Sequence, residues 1–339
     1  MRARAWMKGK GTGVLTVSLL LSLLFWPAQS ASANNTTFSG EATVVQATVL
    51  GLPPIVLSDT GALDSTGGAR EASLLDANVL GLLTAEVLHA STVGQGQRSS
   101  SEASVANVTL TVGGNTISAG LLRARATAEC HNGTASVSGS SEIVDLVVNG
   151  QAIVVSGQPN QTISLPVGRV IINEQQSSVS GNTGDITVNA LHVMVDGVAD
   201  VIISSAHADI TCGGPVCPGG DFVTGGGWIT GTPSGERGTF GVAGGIKNGA
   251  LWGHLTYIDH GTNMKVKGTG VTAYTVTGPT TRHIEGTAEI DGRSGSYQVD
   301  VSDNGEPGRN DMFSIMLSNG YSASGLLIGG NIQLHQPCK

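Results

Sequence analysis

The residues best suited to chemistry stand near the end of the chain, in Val301-Ser-Asp303-Asn304-Gly305-Glu306-Pro307-Gly308-Arg309-Asn310-Asp311. Asp303, Asn304, Glu306 and Asp311 put three carboxylates and an amide into nine residues of a Gly/Pro loop. A short oxygen-rich loop of this kind suits Ca²⁺, which takes about 6–8 oxygen ligands. The order departs from the EF-hand pattern D-x-[DN]-x-[DN]-G. The same residues also suit an Asx turn, in which Asp303 and Asn304 accept from nearby backbone N–H groups while the acids face water. No catalytic constellation accompanies the loop. The eight histidines (His89, His131, His192, His207, His254, His260, His283 and His335) form no H-E-x-x-H or H-x-H arrangement. The serines form no G-x-S-x-G elbow and no S-x-x-K pair. Thr224-Gly-Gly-Gly-Trp228 lacks the Lys-Ser/Thr step of a phosphate loop, so its glycines are read as a strand bend or a close backbone approach. No cofactor-binding motif is found.

Four cysteines make two disulfides the expectation in an exported chain, with three pairings open. Cys130–Cys212 and Cys217–Cys338 are favoured, because each bridge then closes within one domain. A C-x4-C step with two distant single cysteines is not a zinc pattern.

The elements that must position these residues read as strands. Between residues 34 and 212, Val, Ile, Thr and Ala alternate with Ser, Asn and Gly. Asn149-Gly150 between two β-branched runs supplies the two positive φ angles of a type I′ hairpin. Gly113-Gly114-Asn115 and Asp196-Gly197 mark further turns. Residues 73–92 carry Leu and Ala at helical spacing, yet Gly81 would cost about 1 kcal/mol in a helix, which favours two strands. From Ser39 to Asp221 there is no Phe, Tyr or Trp, and Phe222 then opens an aromatic-rich segment with ten expected short strands. Cys212 to Trp228 therefore reads as a stapled hinge, with Trp228 as the first large core residue of a second domain. The fold expected is all-β, two antiparallel domains of sandwich or barrel type. The N-terminal one is aromatic-free, with a β-solenoid as its alternative. The boundaries are 1–33 signal peptide, 34–212 first domain, 213–218 linker and 219–339 second domain.

Composition sets the surroundings. Arg2, Arg4, Lys8 and Lys10 precede an apolar run over Val14 to Trp26, and Ala31-Ser32-Ala33 is a small-residue cleavage site of A-x-A type. The run is shorter than the roughly 20 residues of a spanning helix, so an export signal is expected, with no membrane span in the mature chain. Loss of the leader leaves 13 Lys+Arg against 25 Asp+Glu, a formal charge of −12. Residues 34–212 hold only Arg70, Arg98, Arg123, Arg125 and Arg169, with no lysine, against 15 acids. Such a surface lacks the clustered cations that a phosphate backbone needs, which argues against nucleic acid.

Three stretches in the N-terminal half, G-E-A-T-V-V-Q-A-T-V-L-G-L, S-E-A-S-V-A-N-V-T-L and T-V-N-A-L-H-V before I-T-C, resemble the bacterial secreted choice-of-anchor P family. F-V-T-G-G-G-W-I, V-S-D-N-G-E-P-G-R-N-D and G-G-N-I-Q-L-H resemble the small domain that often follows such modules. The resemblance implies no established activity and no site residues. Members of that family end in different surface anchors, whereas Gln336-Pro337-Cys338-Lys339 carries no sorting motif, so release into the medium or periplasm is expected. The resulting expectation is a secreted structural or binding module without catalytic activity, its partner a cell-surface glycan or protein. The alternative is a secreted carbohydrate-binding or carbohydrate-active protein.

Overall fold

The computed structural model describes residues 35–79, 81–214, 220–247 and 249–336. The expected leader, most of the expected linker, and Cys217 and Cys338 with their expected bridge lie outside the described residues.

The first fourteen strands are β1 (Thr37–Phe38), β2 (Glu41–Val49), β3 (Ile55–Asp59), β4 (Gly68–Val79), β5 (Leu83–Gln95), β6 (Arg98–Val112) and β7 (Asn115–His131), then β8 (Thr134–Val144), β9 (Val147–Val148), β10 (Gln151–Ala152), β11 (Gln161–Ser164), β12 (Arg169–Ser180), β13 (Thr183–Val195) and β14 (Ala199–Thr211). They form two antiparallel sheets. The first runs β11-β12-β13-β14-β2-β3, with β1 also on β14; the second runs β10-β9-β7-β6-β5-β4, with β8 also on β7. The sheets face each other as a sandwich, which decides against the solenoid. Among the described residues the one parallel pairing is the isolated bridge Asn35↔Gly214.

Inward residues such as Val44, Leu110, Leu122, Ile172, Leu191 and Ile203 fill the space between the sheets. Ala103, Ala124, Ala126, Ala206 and Ala208 leave room for these larger partners. The core is not aromatic-free, however. Phe38 is buried in it, seated where Gly94 and Gly67 offer space: a Cβ on Gly94 would stand 2.6 Å from the Phe38 ring.

Turn chemistry placed the hairpins well. Asn149 and Gly150 take φ of 50° and 76° between the paired strands β9 and β10. Gly113 and Gly114, at 55° and 77°, join β6 to β7. Residues 73–92 contribute to two strands, as Gly81 (φ 74°) requires.

The remaining strands are β15 (Phe222–Ile229), β16 (Gly238–Lys247), β17 (Ala250–Asp259), β18 (Met264–Val276), β19 (Thr281–Ile290), β20 (Arg293–Ser302), β21 (Met312–Leu317), β22 (Ser322–Leu326) and β23 (Gly329–His335). Nine strands stand where ten short ones were expected, and the longest, β18, shifts register against β19 at Gly268/Gly270 and Val271/Ala273. All nine strands make one antiparallel sheet in the order β22-β21-β20-β19-β18-β17-β16-β15-β23. The sheet curls into a barrel-like shape because its last segment serves both edges: β22 pairs with β21, and after a kink β23 pairs with β15. At the kink Ser324 N donates to Gly231 O and Ile328 N to Trp228 O, both at 3.0 Å. Phe240 and Phe313 stack inside with ring centroids 3.9 Å apart. Tyr257 is fully buried beside them, with its hydroxyl 2.7 Å from that of Tyr321. Burial pushes the Tyr257 phenol up to about 12.

Cys130 closes β7 and Cys212 follows β14, and their disulfide ties one sheet of the sandwich to the other across 82 residues, with the Cα atoms 5.6 Å apart. A cross-link over so long a loop removes much unfolded-state entropy, typically about 2–4 kcal/mol. The paired substitution Cys130→Ser/Cys212→Ser is therefore expected to lower stability by about 2–4 kcal/mol in urea denaturation, and non-reducing peptide mapping should recover the Cys130–Cys212 peptide from the wild type.

Candidate functional site at the seam between sandwich and barrel

Strand β6 shows why a seam exists. Alternation along Arg98–Val112 would normally leave one face wet, yet Ser99 to Ala106 are all buried. The inward face, with Ala103 and Val105, belongs to the sandwich core, while the outward face of Ser100, Glu102 and Ser104 is covered by the barrel. On β5 the outward side carries His89 and Val93. Opposite them β15 offers Phe222, Thr224, Gly226 and Trp228. A Cβ on Gly226 would stand 2.8 Å from Ser104 Oγ, and one on Gly241 would stand 3.0 Å from His89 Cβ. These glycines allow the barrel backbone to lie against the sandwich. Trp228 is consequently not part of the barrel core. It points outward, half-buried, with the Arg237 guanidinium 4.2 Å from its ring centroid. Arg237 in turn donates to Gly120 O on β7 at 3.3 Å.

The four loop residues singled out from sequence share the loop but spend their oxygens separately. Asp311 is fully buried and accepts from Asn304 N and Ile332 N, each at 2.8 Å. Burial pushes its carboxyl up to about 6 against the pull of those two amides. Asp303 accepts from Leu334 N at 2.9 Å and Gly305 N at 3.2 Å. The Asn304 amide donates to Ser302 Oγ and Asn310 O, both at 2.9 Å. Glu306 leaves the loop altogether and forms a two-pronged ion pair with Arg125 of β7. Among the described residues no group of three or more His, Cys, Asp or Glu side chains is arranged to hold a metal ion.

Arg125 belongs to a network that sequence reading did not single out. Three of the five sandwich arginines, Arg98, Arg123 and Arg125, converge here, because β6 and β7 are neighbours and residues 123 and 125 share one strand face. Arg123, almost wholly buried, bonds Glu102 at 3.3 Å and Glu142 at 3.0 Å. Arg98 lies 3.3 Å from Glu129. The Gln333 amide of β23 is satisfied when its oxygen accepts from Arg125 at 3.0 Å and Arg98 at 3.3 Å. A cavity of about 290 Å³ opens over these groups, floored by the arginines and Thr127 and rimmed by Glu306 and Pro307. Every cation in it faces a carboxylate, so the network fastens the barrel to the sandwich. The spacing Arg123-Ala-Arg125 in a lysine-free segment was the one available signal; the partners 181 residues away were not legible.

A second opening along the seam is less committed. It has a volume of about 320 Å³ and lies between Leu63–Arg70 of the sandwich and Phe222, Ile246, Lys247 and Trp252 of the barrel. Phe222 and Trp252 meet edge to face, centroids 5.9 Å apart. Lys247 reaches across to Ala69 O, its ammonium 5.4 Å from the Trp252 centroid. Burial, and then the nearby Arg70 charge, holds the Lys247 amine below its ordinary range. Arg70 pairs with the exposed Asp64 at 3.3 Å.

The class defined by this geometry is an all-β protein that seats a curled, barrel-like sheet on one face of a disulfide-tied sandwich, with polar groups concentrated where the two meet. No family model matches the chain, and no curated protein matches it. Among solved structures, a crystal structure of a Nitrosomonas europaea protein provisionally described as AttH aligns over 89% of this chain and 93% of that one, at 6% identity and a TM-score of 0.19. A likeness so slight carries no argument.

Two histidines make the seam sensitive to acid. His89 is fully buried, with Nδ1 2.9 Å from Ser73 Oγ, and burial, then the neighbouring His254, lowers its imidazole to about 3. His335 stacks on Phe222 at 4.6 Å and is also lowered to about 3, by burial first and then by Arg98 and Arg125. In the unfolded chain a histidine titrates near 6.5. The stability each contributes is therefore fully present above about pH 6.5 and lost as pH falls toward 3. Asp311, raised to about 6, acts oppositely and favours the fold as pH falls from 6 to 4. Urea midpoints followed from pH 7 to 4 should fall in the wild type, and fall less in His335→Gln. Asp311→Asn keeps the shape but removes one acceptor from two buried amides, so it should cost about 1–3 kcal/mol at pH 7. Millimolar calcium should leave the wild-type Tm unchanged, because the loop oxygens already accept protein hydrogen bonds; a rise that Asp303→Ala abolishes would establish a cation there instead.

Proposed function

We propose that this chain is an exported, non-catalytic extracellular module of a bacterial surface protein or exoprotein, working by binding. The observation that carries the reading is the Cys130–Cys212 disulfide, which joins the two sheets and belongs to an oxidising compartment. The leader-like first 33 residues, the acidic surface and the resemblance to choice-of-anchor P proteins support the same destination. Several titratable groups with displaced pKa values serve the fold, which supports a binding role over catalysis: Asp311, Tyr257 and His335 are each held by hydrogen bonds that tie one segment of the barrel to another. The reading requires no cofactor. Calcium would enter only as a structural ion of the 303–311 loop, and the partner is a cell-surface glycan or protein.

Carbohydrate binding is the second reading, and the seam opening beside Trp252 favours it. Of the three aromatics that could have formed an exposed sugar platform, Tyr257 is buried inside the barrel, while Trp228 and Trp252 are half-buried at the seam. That burial favours a cleft over an exposed platform.

Expression of the whole chain in a bacterial host, followed by fractionation and N-terminal sequencing, tests export. The expected product lies outside the cytoplasm, begins within a few residues of Asn34 and carries oxidised cysteines. Cytoplasmic retention with residues 1–33 attached would contradict the reading.

A further inference from the structure

We infer that the cleft between Gly67–Arg70 and Lys247/Trp252 is a binding site for a carboxylate-bearing sugar unit of an acidic polysaccharide. The inference rests on the binding role proposed above and names its ligand class. At about 320 Å³ the cleft is near the lower end of the roughly 300–1,000 Å³ spanned by ligand pockets, room for a single ring. Its walls differ in kind. On one side the half-buried Trp252, packed edge to face on the buried Phe222 and with the Lys247 ammonium 5.4 Å from its centroid, lines the cavity with aromatic carbon, the kind of surface against which the C–H face of a pyranose ring packs. On the other side Gly67 and Gly68 bring bare backbone to the cavity, leaving room for ring substituents.

The charges then select the substituent. The sandwich has only five basic residues and no lysine, in a mature chain with a formal charge of −12, yet Arg70 meets Lys247 at this cleft. The Lys247 amine is lowered first by burial and then by the Arg70 charge, the second cation that shares this partly enclosed space. Asp64, the one carboxylate in the lining, is an exposed partner for a single Arg70 nitrogen at 3.3 Å. The remaining guanidinium donors and the ammonium can therefore share an incoming carboxylate, and charge-assisted bonds of that kind are the strong ones. The arginine cavity on the other side of the seam lacks this vacancy, because Glu102, Glu142 and Glu306 already occupy its arginines. Hydroxyls on the ring would find acceptors and donors in Asp64 and Thr66 at the rim.

Isothermal titration of the full mature chain with an oligogalacturonate, and with a neutral galacto-oligosaccharide of equal length, tests the assignment. Saturable binding of the acidic sugar is expected, about tenfold or more tighter than the neutral one and weakening with salt. Lys247→Ala and Arg70→Ala should each cost about tenfold, and Trp252→Ala should abolish binding to both sugars. Arg169→Ala, remote from the cleft, should change nothing. Lys247 and Arg70 are partly exposed, so their variants serve as the test even if Trp252→Ala fails to fold. Equal affinity for the two sugars, affinity unmoved by Lys247→Ala and Arg70→Ala, or no binding of either would overturn the inference. Neutral binding as tight as that of the acidic sugar, lost in Trp252→Ala, would leave a binding module with a different ligand, and the export experiment stands or falls separately from all of these outcomes.

Discussion

The structure depends on a close approach. One face of the second sandwich sheet is covered by the barrel, and the approach is possible because Gly226 and Gly241 present no side chain to Ser104 and His89. A Cβ at either position would come within 3.0 Å of the opposite module. Everything of chemical interest follows from this contact. It buries His89 and His335, sets Arg125 against Glu306, turns Trp228 outward from its own barrel and leaves two openings along the seam.

Each opening shows how burial and charge divide the work. Where the arginines of β6 and β7 meet the 303–311 loop, three guanidinium groups face four carboxylates, and pairs shielded by the barrel are worth more than the same pairs on a free surface. They cost a good deal of desolvation as well, so their contribution is to fix how the two modules fit rather than to add large stability. Where Arg70 and Lys247 meet Trp252, compensation is incomplete and an external anion has something to gain. The disulfide acts one layer further back, holding the sheets of the sandwich together so that its outer face is a fixed base for the barrel.

Local features of the fold were legible because their causes are local. Asn149-Gly150 and Asp291-Gly292 demand positive φ, and each sits at a hairpin turn. The Cys130–Cys212 bridge followed from counting cysteines against domains. Phe38 escaped the reading because it lies one residue outside the aromatic-free span and its pocket is made by glycines far along the chain. The seam escaped it for a more general reason. Ser100, Glu102 and Ser104 put polar side chains on one face of the strand as a wet face does, and nothing in their spacing says whether water or another module covers it. The glycines of Thr224–Trp228 held the clue to close approach, but not the identity of what approaches. Likewise the 303–311 loop was recognisable as polar and specialised, while the commitment of Glu306 to Arg125 depends on contacts between residues far apart in sequence.

The seating of the barrel on the sandwich is the central claim, and Gly226→Val tests it most directly. Valine suits a strand, so the barrel can keep its own pairing while the added methyl groups press on Ser104 and His89. Small-angle X-ray scattering of the variant beside the wild type, with far-UV circular dichroism to monitor strand content, gives the answer. The account predicts unchanged strand content with a larger radius of gyration as the modules part. A scattering profile identical to that of the wild type would contradict it.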